Sequence, residues 1–308
     1  MKFTRSFSRR RFVSSGLALA TALRVRGAAR DLGFASETGV CQLSPEQEVG
    51  PYYVAGELLR SDIRETKPGV PLSLRIAIVD ARTCKPLPEV AVDIWHCDAL
   101  GLYSGFTKQN PRGPGSPPPG MRGDGPPPGP PPGFDPQHPG NRPGPPEGFG
   151  PPPMNHPTDK LTFLRGIQLT DAQGTVSFQT IVPGFYMGRT NHIHFKARLG
   201  GSVSNHTYDA GHTSHTGQIF FPEDLAVKLM SMPPYTGHKI HRTTQAEDGV
   251  FNGQQGELSI AHITAVHPGD PQSGYHAEIV ALVDPTATPS PAERGRPPGR
   301  LPAVSSAS

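Results

Sequence analysis

Gly184-Phe185-Tyr186-Met187-Gly188-Arg189-Thr190-Asn191-His192-Ile193-His194-Phe195-Lys196-Ala197 is the stretch from which the rest of the chain is read. Ile193, Phe195 and Ala197 alternate with His192, His194 and Lys196, the period of two that marks a strand with one apolar face. Residues two apart on a strand point to the same side. His192 and His194 therefore aim two imidazoles at one point, a metal-chelating arrangement. A phenol, Tyr186, and a guanidinium, Arg189, lie just upstream.

Working outward, similar patterns recur. Leu72 to Val79, Val90 to Trp95, Phe163 to Leu169, Thr175 to Thr180, Gln218 to Phe221 and His276 to Val283 read as strands, and Leu225 to Met230 as one short helical piece. Asp171-Ala172-Gln173-Gly174 is a turn. Many short strands with turn signals and little helix predict an all-β fold, an antiparallel β-sandwich with long loops spanning 41–285. Residues 110–157 are dominated by Pro and Gly. They lack the apolar periodicity of a core and read as a disordered or polyproline-like insertion. The Pro-rich tail, 286–308, reads as disordered too.

The 308 residues carry a formal charge of +3, but the excess is local. Eight basic side chains and no acidic one fall within residues 1–30, which leaves 21 basic against 26 acidic residues elsewhere, a net of −5. A mildly acidic body offers nothing to a nucleic acid. The basic start, with Ser8-Arg9-Arg10-Arg11-Phe12-Val13 followed by an apolar run to Leu23, reads as a twin-arginine-type export signal and predicts a periplasmic or extracellular protein. The run is short for a membrane span. Three cysteines, Cys41, Cys84 and Cys97, fit no zinc spacing. Were 73–80 and 89–97 a hairpin, Cys84 would sit in its loop and Cys97 at the far end. That geometry disfavours Cys84–Cys97, and Cys41 with Cys84 is the pairing expected.

Two histidines do not choose a metal. Zinc sites often add Cys, Asp or Glu, and the ferrous facial triad adds a carboxylate. Residues 184–195 contain neither a carboxylate nor a thiol. Tyr186 and Tyr103 are the suitable extra donors. A phenol ionises near pH 10 when free, so it needs a strong Lewis acid such as Fe(III) to bind as an anion at neutral pH. Taken singly, each of these residues also has an ordinary reading, as a half-buried sheet tyrosine or a polar residue on a solvated strand. His206, His212 and His215 lie in a Gly/Ser/Thr-rich stretch and read as a surface loop, with a second metal site as the alternative.

Gly50-Pro51-Tyr52-Tyr53, Asp93-Ile94-Trp95-His96-Cys97-Asp98, Gly101-Leu102-Tyr103-Ser104-Gly105 and Pro183 to His194, in this order, resemble segments of the intradiol ring-cleavage dioxygenases. The resemblance covers about 41–285, interrupted by the Pro-rich insertion. It implies a non-haem Fe(III) held by Tyr103, Tyr186, His192 and His194, with Tyr186 and His192 as the axial pair. It implies a catechol-type diol and O2 as substrates, cleaved between the hydroxylated carbons to a muconate-type diacid. In that scheme Tyr186 leaves the iron and accepts a proton, and Arg189 stabilises charge on the ring. Gln218 lies behind the site, and Tyr52 and Tyr53 belong to the pocket or its support. About twenty residues separate the leader from Gly50, which implies the compact branch without the helical dimerisation region; oligomerisation stays open. The step from Tyr186 to His192 is shorter than in the well-known catabolic enzymes. Two other classes compete: a non-catalytic β-sandwich binding module, and a zinc hydrolase built on His192 and His194.

Overall fold

The computed structural model describes residues 41–56, 58–108 and 157–290. The leader, most of the Pro/Gly-rich insertion and the end of the tail lie outside them. Eight strands form two four-stranded sheets. The first has the order β4 (Thr175–Ile181), β1 (Pro71–Asp80), β8 (Tyr275–Val283), β7 (His262–Ala265); the second has β3 (Arg165–Leu169), β2 (Ala91–Trp95), β5 (His192–Ser204), β6 (Thr207–Phe220). Two short helices, α1 (Glu223–Met230) and α2 (Gly249–Gly253), follow β6.

The inward faces come directly from the alternation. Leu72, Leu74, Ile76 and Ile78 of β1, Val176 and Phe178 of β4, and Ala277, Ile279 and Ala281 of β8 meet Val92 and Ile94 of β2 and Ile193, Phe195 and Ala197 of β5 in one buried cluster. Apolar area removed from water drives this closure, at about 25 cal/mol per Å2. The outer face of the first sheet is covered separately. Ala77, Val79, Val280 and Leu282 pack with Cys41, Leu43 and Leu258, and Cys41 is disulfide-bonded to Cys84.

Three expectations change. The sandwich is not wholly antiparallel, because β1 and β8 pair in parallel from Leu72↔Tyr275 to Asp80↔Val283. Stretches 73–80 and 89–97 are not a hairpin, since β1 and β2 belong to different sheets. The Cys41–Cys84 pairing stands without that premise. The histidine-rich stretch is not a loop: His212 and His215 lie on β6, which pairs with β5 along a hairpin turning at Asn205 and His206. Gly, Ser and Thr there mark strands with exposed outer halves, not a lack of strand.

Because the even residues of β5 face away from the core, the second sheet has a polar outer face. Register places Trp95 and Gln218 on either side of His194, Phe220 beside His192 and Asp93 beside Lys196. This face is closed over by loops, and the candidate site lies beneath them.

Candidate metal centre

His192 and His194 are both buried, at 2% and 0% exposure. Their Nε2 atoms are 3.1 Å apart. His192 Nδ1 lies 2.6 Å from the Thr190 carbonyl. A carbonyl only accepts, so Nδ1 carries the proton and Nε2 presents a lone pair. Trp95 stacks flat on the His194 ring, with centroids 4.9 Å apart and planes at 3°, and the Glu48 main chain approaches that ring from another side. Burial first, then the charge of Arg189, holds His192 down to about 3. Burial and the neighbouring imidazole hold His194 well below its usual value. Both rings are therefore neutral donors at physiological pH.

Two loops bring the phenols to them. Tyr186 opens a tight turn that Arg189 N closes by donating to Tyr186 O at 3.1 Å. This turn is the short link to His192, and it puts the Tyr186 ring 5.7 Å from the His192 ring. Gly184 lets the segment after β2 approach closely: a Cβ there would lie 2.6 Å from the carbonyl oxygens of Asp98 and Ala99. Asp98 shapes that segment by accepting from Leu100 N and Leu102 N. Buried Arg165 donates to both the carbonyl and the hydroxyl of Ser104. Tyr103 is thereby held 5.9 Å, ring to ring, from Tyr186. Its hydroxyl is buried with no hydrogen-bond partner among the described residues. Burial raises Tyr103 well above its usual value and lifts Tyr186 to about 12. Both are phenols unless a cation draws off the proton.

Tyr52 stacks on Tyr103 at 4.3 Å and meets Tyr186 edge-on, so it walls the site. Tyr53 sits one layer back. Its ring packs on Trp95, and its hydroxyl donates to Asp93 Oδ2 at 3.0 Å. Gly50, at φ +70°, carries this segment across the imidazoles. A Cβ there would come within 3.1 Å of the His194 ring.

Arg189, 1% exposed, is gripped on all sides. Nε donates to both Asp248 oxygens at 3.1 and 3.0 Å, Nη1 to Glu48 Oε1 at 3.3 Å, and Nη2 to Gln218 Oε1. Gln218 Nε2 in turn donates to the Glu48 carbonyl at 2.9 Å. Asp248 also accepts from Thr190 N, Val250 N and Phe251 N. The structure thus brings Tyr103, Tyr186, His192 and His194 around one space, with Arg189 and Gln218 joined beside it. His215 and His212 point elsewhere, to Glu46 and to the Pro285 carbonyl. Sequence reading missed Glu48, Asp248 and Arg165. Isolated charges in loops have no periodic or motif signal, although Asp248-Gly249 before Val250-Phe251 is a helix-capping pattern.

The donor set suits a hard trivalent cation. Two lone-pair nitrogens 3.1 Å apart are spaced like neighbouring ligands on one ion with bonds of about 2.1 Å, and a buried hydroxyl without a partner is unfavourable until something binds it. Among the described residues no group of three or more His, Cys, Asp and Glu could hold a metal; the further oxygen donors beside these two imidazoles are the phenols of Tyr186 and Tyr103.

No family model matches the chain, and neither does any curated protein sequence. Solved structures do. An intradiol ring-cleavage dioxygenase from Tetranychus urticae is 30% identical across 82% of this chain and 98% of its own, with a TM-score of 0.61. The crystal structure of a second dioxygenase is also 30% identical, across 80% of this chain and 96% of its own, with a TM-score of 0.58.

Proposed function

The chain belongs to the intradiol ring-cleavage dioxygenases, and on that premise we propose that it cleaves a catechol-type ring between its two hydroxylated carbons with O2 at a non-haem Fe(III), giving a muconate-type diacid. One observation carries the reading: two neutral imidazole nitrogens 3.1 Å apart in the same space as the buried, unpartnered hydroxyl of Tyr103. Tyr103, Tyr186, His192 and His194 would hold the metal. Bound there, ferric iron supplies the Lewis acidity that keeps phenolates ionised and the electronic coupling that lets a catecholate react with O2.

The chain's own residues do the rest. Tyr186 Oη, which would be a phenolate once the metal is held, would take a proton from the entering diol and return to the neutral phenol. Arg189, fixed by Asp248, Glu48 and Gln218, places an oriented positive charge beside the ring where negative charge develops. Tyr52 and Trp95 fix the positions of Tyr103 and His194 and keep bulk water out. The basic, twin-arginine leader supports export of the protein to the periplasm or beyond.

The test is to load the purified protein with iron and follow oxygen uptake over a small catechol panel, with product spectra. A visible tyrosinate-to-iron absorption band and muconate-type products are expected. Zinc in place of iron on metal analysis, or colourless iron-loaded protein, would sink the reading. Tyr186→Phe with undiminished cleavage would sink the role of Tyr186.

A further inference from the structure

Asp93 is wholly buried on the outer face of β2, two residues before Trp95 and on the same side of the strand. Its two oxygens fare differently. Oδ2 accepts from the Tyr53 hydroxyl at 3.0 Å, whereas Oδ1 is buried with no hydrogen-bond partner among the described residues. Burial raises the carboxyl to about 6, as expected of an acid the fold houses at a cost. An apolar side chain would fill this place without that cost, so the carboxylate answers to something other than packing. What it holds is Tyr53. The Tyr53 ring packs against Trp95, with centroids 4.9 Å apart and planes at 60°, and Lys196 Nζ sits 3.4 Å over it.

Trp95 depends on such neighbours. Its Nε1 is buried and has no hydrogen-bond partner among the described residues, so packing alone sets the plane of the indole. That plane matters at the site, because the indole lies within 3° of the His194 ring plane. His192 is turned by its own contact with the Thr190 carbonyl, while His194 has the indole laid flat against it. Contacts thus run without a break from Asp93 through Tyr53 and Trp95 to His194.

We propose that Asp93 is a positioning residue for the metal centre: by holding the Tyr53 hydroxyl it locks the Tyr53 ring against Trp95, and the locked indole fixes the plane in which His194 presents Nε2. The final link rests on the Fe(III) reading above; the hold on Trp95 does not. Groups behind a metal ligand commonly matter about tenfold or more to metal affinity.

The test compares the full chain with Asp93→Leu, Asp93→Asn and Tyr53→Phe. The chain has a single tryptophan, so the emission anisotropy of metal-free protein reports on Trp95 alone. Asp93→Leu and Tyr53→Phe both break the bond and should lower the anisotropy. Asp93→Asn keeps an acceptor for the Tyr53 hydroxyl and should restore the parent value. After iron loading, Asp93→Leu should alter the rhombicity of the ferric electron paramagnetic resonance signal and retain iron about tenfold less well, with Asp93→Asn close to the parent. Anisotropy equal to the parent's in both bond-breaking variants overturns the proposal, even if Asp93→Leu melts lower, since that is a packing role only. Lowered anisotropy with an unchanged ferric signal and unchanged iron retention overturns the link to His194. If Asp93→Leu does not fold, Tyr53→Phe, which keeps the ring, decides on the same readouts. A parent that binds no iron defeats the functional reading and the final link with it, while the anisotropy still decides whether Asp93 holds Trp95.

Discussion

Tyr103 keeps a hydroxyl where none of the described residues gives it anything to bond to. Burying such a group costs about 1–3 kcal/mol, a cost that makes sense for a ligand and not for a packing residue. Tyr103→Phe should therefore melt no lower than the parent when both are metal-free. It should nevertheless retain iron more than about tenfold less well, measured by thermal denaturation and by iron retention on a desalting column. A lower melting temperature would mean that the hydroxyl serves the fold. At this scale the sequence was most legible where chemistry and periodicity coincide. His192 and His194 on alternate strand positions, with Tyr186 just before them, already announced a shared target. Tyr103 needed the family resemblance, because nothing local links it to a strand some ninety positions away. Glu48 and Asp248 were not legible. Each is an acid in a loop, and only the tertiary closure of three distant segments brings both to Arg189.

Helix α2 is only five residues long, yet its cap holds the site together. One carboxylate, Asp248, serves the helix N-terminus, the Thr190 amide and the Arg189 guanidinium. Removing one partner of a buried ion pair costs about 3–5 kcal/mol, so Asp248→Ala should lose about that much stability in urea unfolding, with activity falling further than stability does. The end of β2 supplies a pH response. Burial holds His96 down to about 4, between the Cys97 carbonyl at 2.8 Å and the Thr180 hydroxyl at 2.7 Å. An unfolded histidine protonates near 6.5. Between those values the unfolded chain takes up a proton that the folded one refuses. Stability is then fully present above about pH 6.5 and is lost as pH falls toward 4, by about 3 kcal/mol for this group. Asp93, whose carboxyl burial raises to about 6, works in the opposite sense and offsets part of the loss. Urea midpoints at pH 7 and pH 4.5 should show a smaller drop for His96→Gln than for the parent. Element by element, the strands with a clear apolar stripe were readable within a residue or two. The outer half of the β5–β6 hairpin was not, because strands without a buried face carry no stripe to read. The pairing of β1 with strands other than β2 escaped for a different reason: alternation reveals faces, not neighbours.

The whole molecule is a sandwich whose site lies outside the core, under loops anchored at points far apart in sequence. The Cys41–Cys84 bond is one such anchor, with a sequence separation of 43, just ahead of the 46–53 segment that crosses the imidazoles. A loop of that size corresponds to roughly 4 kcal/mol of stabilisation in the chain-entropy account. A Cys41→Ser/Cys84→Ser protein should show a urea midpoint lower by that equivalent, and reductant should destabilise the parent but not the double variant. The same closure of distant parts has a kinetic side. Strand β8 pairs along nearly all of β1, so the first strand waits at the middle of its sheet for the last one. Contacts between segments so remote in sequence are slow to form and dominate the folding time. During synthesis β1 leaves the ribosome long before its neighbour exists, exposing an apolar edge that invites association with other chains. A chain built this way depends on being completed and kept apart from its fellows before it is whole, and its yield when produced at high concentration should be limited by that wait rather than by the stability of the finished fold.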